Sequence, residues 1–258
     1  MVNEKSLKDF LLEKADAYNQ PFFIESDPVC IPHLFSKKAD REIAGFFAAI
    51  FAWGNRTTII NKTRELMRLM DDAPHHFCLH HTATDLKNLM HFQHRTFNTT
   101  DLLYFMSFFQ HHYRNHESLE AAFLKNHSLT NQNTEQALNG FFEYFFSLPD
   151  APARTKKHIA APAKNSACKR LNMFLRWMVR KDDRGVDLGL WQTLRPAQLV
   201  IPLDLHVSRV ARKFRLLERT ATDWKAAVEL TNRMKIICPD DPVRMDYALF
   251  GLGVLEKF

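Results

Sequence analysis

The chain has 258 residues, 46% of them hydrophobic, so it has enough apolar side chain to fold around its own core and is not a disordered polypeptide. It contains only 7 glycines, few for a protein built on tight strand-to-strand turns, which argues against a β-sandwich or a doubly wound sheet and for an all-α fold. The net charge is +6 and unevenly spread: residues 1–150 hold 14 Lys and Arg against 18 Asp and Glu, whereas residues 151–258 hold 21 against 11. A basic C-terminal part points to a polyanionic partner, since each neutralised phosphate releases counterions.

Leu7, Phe10, Leu11 and Lys14 begin a first amphipathic helix. The N-terminal MVNEKSLKDFLLEK lacks the apolar run of a signal peptide, and no stretch is apolar enough to span a membrane, so a cytoplasmic protein without membrane contact is expected. Asp40 reads as the N-cap of a helix carrying Ile43, Phe46, Phe47 and Ile50, ended by Gly54. Another helix starts at Thr57 or Thr58, and further helical stretches fall near 83–92, 100–113, 117–126 and 134–147. Residues 149–167, PDAPARTKKHIAAPAKNSA, have no apolar period and read as a long exposed loop. Beyond it, helices are predicted over 166–180, from Pro202 and Asp204 onward, near 221–237, and near 242–251 with Asp241 as cap.

The cysteines at 30, 78, 168 and 238 form no C-x2-C pair and read as reduced, mostly buried thiols, with neither a zinc site nor an iron–sulfur cluster. The histidine-rich stretches 75–81, 91–94 and 111–116 lack the acidic partner of a metal motif and are assigned to packing or surface; no metal or cofactor is expected. The aromatic run FFEYFF at 141–146 reads as core.

Two residues stand out chemically. Lys169, near a helix start and beside Arg170, meets partial positive charge from unpaired amides and a guanidinium, which favours loss of its proton and use of the amine as a nucleophile; its alternative is a solvated lysine on a basic face. Asp204, after Pro202, reads first as an N-cap, and the same residue can also serve as a fixed carboxylate able to steady a cationic sugar transition state.

The segment FFAAIFAWGNRTTIINKTRELM (46–67) resembles the second helix, turn and third helix of the helix-hairpin-helix DNA glycosylases related to endonuclease III, and IPLDLHVSRVARKF (201–214) resembles the segment bearing that family's catalytic aspartate, with Asp204, His206 and Arg209 matching. Lys169 precedes Asp204 by 35 residues, a spacing similar to the archaeal 8-oxoguanine glycosylase branch. The run SACKRLNMFLRWMVR (166–180), with VDLGLW and PLDLHV after it, looks like an uncharacterised bacterial family grouped near these glycosylases. The family's glycine-rich hairpin does not precede Lys169, and Trp53-Gly54-Asn55-Arg56 replaces its usual turn.

The resemblance implies a two-lobed fold, one lobe from 36 to 199 and the other from 1–35 plus 200–258, with Lys169 and Asp204 at the mouth of an interlobe cleft. It implies a DNA glycosylase with lyase activity, acting on a damaged base flipped out of double-stranded DNA, with Lys169 and Asp204 catalytic. Arg56 and Asn55 would fill the gap left by the base. Lys156, Lys157 and Lys164, together with Arg170, His206 and Arg209, would contact nucleic acid, with the helix start at Ser166 and Ala167 offering amides to a phosphate. Trp53, Trp177 and Trp191 are candidate pocket walls. Two alternatives stay open: a non-catalytic DNA- or RNA-binding protein that retains the fold, and a helical scaffold whose basic face meets an acidic protein.

Overall fold

The computed structural model describes residues 4–128 and 130–258. The described residues are helical throughout, in the order α1 (Glu4–Tyr18), α2 (Phe22–Ser26), α3 (Cys30–His33), α4 (Lys38–Ile50), α5 (Arg56–Leu69), α6 (Pro74–His80), α7 (Ala83–Asn88), α8 (Thr99–Tyr113), α9 (Glu120–Leu124), α10 (Glu135–Phe145), α11 (Lys169–Val179), α12 (Leu205–Lys213), α13 (Trp224–Ile237) and α14 (Met245–Val254), with short 3-10 turns between some of them. The only β-type pairing among them is an isolated bridge between His94 and Phe97. No described helix is long and apolar enough to cross a membrane.

The chain divides into two compact units: a terminal unit drawn from Met1–Glu25, Leu129–Glu135 and Ala161–Phe258, and a central unit drawn from Ser26–Ser128 and Gln136–Ala160. The division differs from the expected boundaries at 35/36 and 199/200: α11 falls with the C-terminal helices, Arg176 pairing with Asp246 of α14 and Arg180 with Asp241 ahead of it. Lys169 and Asp204 therefore belong to the same unit.

The core of the central unit is aromatic. Phe46 and Phe47 of α4, Phe105, Phe108 and Phe109 of α8, and Phe141 and Phe145 of α10 are all fully buried. Phe123 stacks on Phe141 with centroids 4.0 Å apart, and Phe108 and Phe145 are 4.3 Å apart. Edge-to-face and offset contacts of this kind add about 1 kcal/mol each to burial. FFEYFF is thus core in Phe141 and Phe145, as its period indicates.

Helix ends follow local chemistry in some places and tertiary contacts in others. Asn55 caps α5 by accepting from the Thr58 amide at 3.2 Å, so the helix begins at Arg56, one or two residues before the expected start. Thr82 with Asp85, and Asn98 with Asp101, form capping boxes at α7 and α8. Asp40 does not cap its own helix. It lies in the first turn of α4, and its carboxylate accepts from the His75 amide at 2.9 Å, capping α6, a helix the sequence reading left out. Asp241 likewise leaves its own helix uncapped and takes the Arg180 guanidinium at 2.8 Å. Gly54 sits at φ +102°, a backbone conformation that favours glycine in the turn before α5.

The segment 149–167 is not a free loop. It forms 3-10 turns at Ala153–His158 and Pro162–Lys164, with Thr155, His158, Ile159 and Ala161 buried. Asp101, fully buried at the start of α8, holds the first turn: Thr155 donates to it at 2.8 Å, and His158 and Arg154 stand 3.2 and 3.3 Å from its other oxygen. Side chains spaced three apart in a 3-10 turn share a face, so Thr155 and His158 turn inward together while Lys156 and Lys157 stay exposed.

His112, buried on α8, accepts at Nδ1 from the Tyr144 hydroxyl (3.2 Å) and donates from Nε2 to the Ser118 carbonyl (3.0 Å), a pattern only the neutral ring satisfies. Burial pushes its pKa down to about 4. A depressed histidine contributes stability that is present above the unfolded pKa and lost as pH falls toward the folded one. His112→Gln is therefore expected to remove about 2 kcal/mol of the stability difference between about pH 7.5 and about pH 5, measured by urea unfolding of both proteins at both pH values. An unchanged difference would mean that His112 takes up its proton without strain.

Candidate functional site

Lys169 is the first residue of α11, preceded by Cys168 in the left-handed region (φ 50°). This non-glycine left-handed residue turns the chain sharply out of the preceding segment. Asn172 reaches back to the Ala167 carbonyl at 3.1 Å, and the Ser166 hydroxyl accepts from the Cys168 amide at 3.2 Å, so the turn is held by its own side chains. The helix begins three residues later than expected. Ser166 and Ala167 lie outside it, and Ala167 is buried, so these two residues do not supply the helix-start amides assigned to them.

Asp204 is the N-cap of α12: its Oδ1 accepts from the Val207 amide at 2.9 Å. Its other oxygen, Oδ2, stands 3.9 Å from Lys169 Nζ. The two side chains retain 29% and 19% of their exposure, so both are reachable from solvent while neither is loose. The cap leaves Oδ2 directed at the amine, and the separation is within reach of one bridging water or a small rotamer change. Lys169 and Asp204, 35 residues apart in sequence, are thus brought together within the terminal unit. Beside them Leu205 is 73% exposed, unusual for a leucine.

The remaining expected contacts sort by place. Arg170, next to Lys169, is half-buried, and burial lowers its guanidinium to about 10, leaving it charged at neutral pH. His206 packs against Gly253, its Nδ1 buried without a hydrogen-bond partner, and Arg209 donates to the Gly253 carbonyl at 3.0 Å, so both bind α12 to α14. Lys164 is exposed in the terminal unit. Arg56, Asn55, Lys156 and Lys157 lie in the central unit: Arg56 half-buried at the first position of α5, Asn55 exposed with its oxygen engaged in the cap, and the two lysines exposed. Of the proposed walls, Trp177 and Trp191 are buried in the terminal unit's core, Trp191 edge-on to Phe174, while Trp53 is half-buried with its ring 4.9 Å from His94.

Two residues near the pair escaped the sequence reading. Asp246, on α14, is buried and pairs with Arg176 of α11, and both Asp204 and Lys169 act on its charge. The available signal was a lone carboxylate in the otherwise apolar helix MDYALFGLGV, and an arginine on the apolar face of LNMFLRWMV. Among the described residues no three His, Cys, Asp or Glu side chains converge as metal ligands. Cys30, Cys78 and Cys168 are buried free thiols and Cys238 is a half-buried one.

The molecule is thus an all-helical protein with a solvent-reachable lysine–aspartate pair at the starts of two helices. Its residues 27–255 match the family model described as protein of unknown function (DUF2400), and the chain belongs to that family. No curated protein and no solved structure matches it significantly.

The double role of Asp204 separates by substitution. Asp204→Ala is expected to lower stability by about 1 kcal/mol through loss of the α12 cap, whereas Asp204→Asn keeps an acceptor for the Val207 amide and is expected to stay within about 0.5 kcal/mol of the parent, as read by thermal or urea unfolding. Equal losses in both variants would show that the charge toward Lys169, not the cap, stabilises the fold.

Proposed function

We propose that this protein is a DNA glycosylase with lyase activity, of the helix-hairpin-helix type, acting on a modified base turned out of double-stranded DNA. The observation that carries the reading is the approach of Lys169 Nζ to Asp204 Oδ2 at 3.9 Å. A base-excision lyase needs an amine and a carboxylate at one sugar; Asp204 lies in the segment that resembles the one bearing the glycosylases' catalytic aspartate, and Lys169 supplies the amine.

In this reading Asp204 relays a proton from the Lys169 ammonium to solvent and, again a carboxylate, stabilises the oxocarbenium character that develops as the C1′–N bond to the base breaks. The neutral amine then attacks C1′ and the base departs with the bonding electron pair. Ring opening of the sugar leaves an imine between Lys169 and C1′. Loss of a proton from C2′ expels the 3′-phosphate, and water releases the aldehyde product from the lysine. Exposed Lys156, Lys157 and Lys164 fit a supporting role at phosphates, sequence-independent and salt-sensitive. Arg56, with Asn55 fixed as the cap, is assigned the space vacated by the base; a planar guanidinium can stack on bases and donate several hydrogen bonds.

Borohydride reduction in the presence of a duplex containing an abasic site tests the chemistry. The expected result is a covalent protein–DNA adduct, absent in Lys169→Ala and reduced roughly 100-fold or more in rate in Asp204→Asn. An adduct that survives Lys169→Ala, or none with the parent protein across abasic and damaged-base duplexes, overturns the assignment.

The net positive charge of residues 151–258 also supports the reading without chemistry, nucleic-acid binding alone. For either reading, replacing Lys156 and Lys157 with Ala is expected to weaken binding to all duplexes alike and to lower the slope of log K against log salt by about 2. An unchanged slope would remove those lysines from the interface.

A further inference from the structure

The central unit carries a basic surface that three separated segments build together. Residues 52–58, 91–99 and 151–158 hold Arg56, Arg95, Arg154, Lys156 and Lys157 and no aspartate or glutamate, whereas residues 1–160 as a whole hold 17 Lys and Arg against 18 Asp and Glu. Trp53 is where the three segments meet. Its ring lies 4.9 Å from that of His94 and 6.1 Å from that of His158, the latter inclined by only 29°. Both histidines are buried, and His94 donates from Nε2 to the Phe51 carbonyl at 3.1 Å, so the junction is fixed from beneath.

The cations are placed by the same contacts. Arg95 stands at the tip of a tight turn closed by two hydrogen bonds between His94 and Phe97, each 2.9 Å, with its own backbone in the left-handed region (φ 53°). Its guanidinium lies against Gly54, where a Cβ would come 3.2 Å from Arg95 Cζ. Arg154 donates to the Thr96 carbonyl at 2.9 Å and stands 3.3 Å from Asp101, which is wholly buried and also accepts from Thr155. Both Arg154 contacts use Nη2, so the other side of its fork is left outward. Arg95, Arg154, Lys156 and Lys157 are exposed, Arg56 is half-buried two residues past Gly54, and the half-buried indole of Trp53 lies among them.

We propose that this surface of the central unit binds an unpaired strand of nucleic acid, with phosphates on Arg95, Arg154, Lys156 and Lys157 and a base against Trp53. Charge complementarity selects a polyanion, and the planar forks of the two arginines match phosphate oxygens. The indole then selects among polyanions. A base inside a duplex is already stacked on its neighbours, whereas an unpaired base offers its face to an aromatic side chain. An acidic peptide or an inorganic polyphosphate engages the cations and leaves the indole unused. The proposal rests on the reading of the chain as a nucleic-acid-binding protein and specifies the state of the strand and the residues that hold it. Lys169 and Asp204 take no part in it.

Trp177, Trp191 and Trp224 are buried, so a ligand-induced change in tryptophan emission reports on Trp53. Titration of the full-length protein with oligothymidylate of about 12 residues is expected to quench that emission saturably, with an affinity that falls as salt rises. Trp53→Leu is expected to lose the quenching and to bind about tenfold more weakly. Arg95→Gln, a change at an exposed side chain, is expected to keep the quenching and to lower the slope of log K against log salt by about 0.7. A blunt duplex of the same length, inorganic polyphosphate and polyglutamate are each expected to leave the emission unchanged. Oligothymidylate binding without quenching, quenching that survives Trp53→Leu, or equal quenching by the duplex overturns the proposal, as does polyglutamate or polyphosphate binding as tightly as oligothymidylate. Should Trp53→Leu fail to fold by circular dichroism, Arg95→Gln decides, and an unchanged slope overturns the proposal. Saturable quenching without a borohydride adduct keeps this surface and rejects the lyase, while an adduct without quenching keeps the lyase and rejects this surface.

Discussion

The burial of Arg176 and Arg180 among aspartates is the constraint on which the terminal unit depends. A guanidinium taken out of water is tolerated only where carboxylates and hydrogen bonds replace its hydration, so each of these arginines must find its partners in the folded chain. Those partners come from the segment after α11 and from both sides of the α14 start, and Tyr247 adds its hydroxyl and a ring 4.4 Å from the Arg176 guanidinium carbon. Satisfying them together fixes the rotation and depth of α11. The apolar face of that helix, with Leu171, Phe174, Leu175 and Met178 buried, would by itself accept small rotations; the ion pairs remove that freedom.

Once α11 is fixed, so is Lys169 at its first turn. Asp204 arrives independently, through α12, which is anchored to α14 by the packing of His206 and by the Arg209 bond to Gly253. The cap then does two things with one carboxylate: Oδ1 takes a backbone amide that would otherwise lack a partner, and Oδ2 is left toward the amine. A side chain that serves the backbone in this way keeps its second oxygen in one place. Local stability and the geometry of the pair therefore have the same cause.

The central unit is organised by aromatic packing and by two buried acids. Glu42 accepts from the Tyr113 hydroxyl at 2.9 Å, the Leu119 amide at 3.0 Å and the Ser118 hydroxyl, joining α4 to α8 and the start of α9. Asp101 ties the 3-10 turn at 153–158 to α8. Its consequence is the exposure of Lys156 and Lys157 on a turn pinned at both flanks by Thr155 and His158.

The sequence by itself determined the all-helical class and most of the longer helices, because apolar residues at a 3.6-residue period and capping residues act over a few positions. It missed α6, where three histidines in PHHFCLH hide the apolar face made by Phe77 and Cys78, although Pro74 at its start was a readable signal. It misassigned Asp40 and Asp241, since an aspartate near a helix start looks the same whether it caps its own helix or serves a partner brought in from elsewhere. It read 149–167 as exposed because nothing local announces that Asp101, far back in the chain, will bury Thr155 and His158. Tertiary structure alone decided the division into units, the approach of Lys169 to Asp204, and the pairing of Asp246 with Arg176. Those depend on how charges many residues apart must be paired once water is excluded, and that requirement exists only in the folded chain.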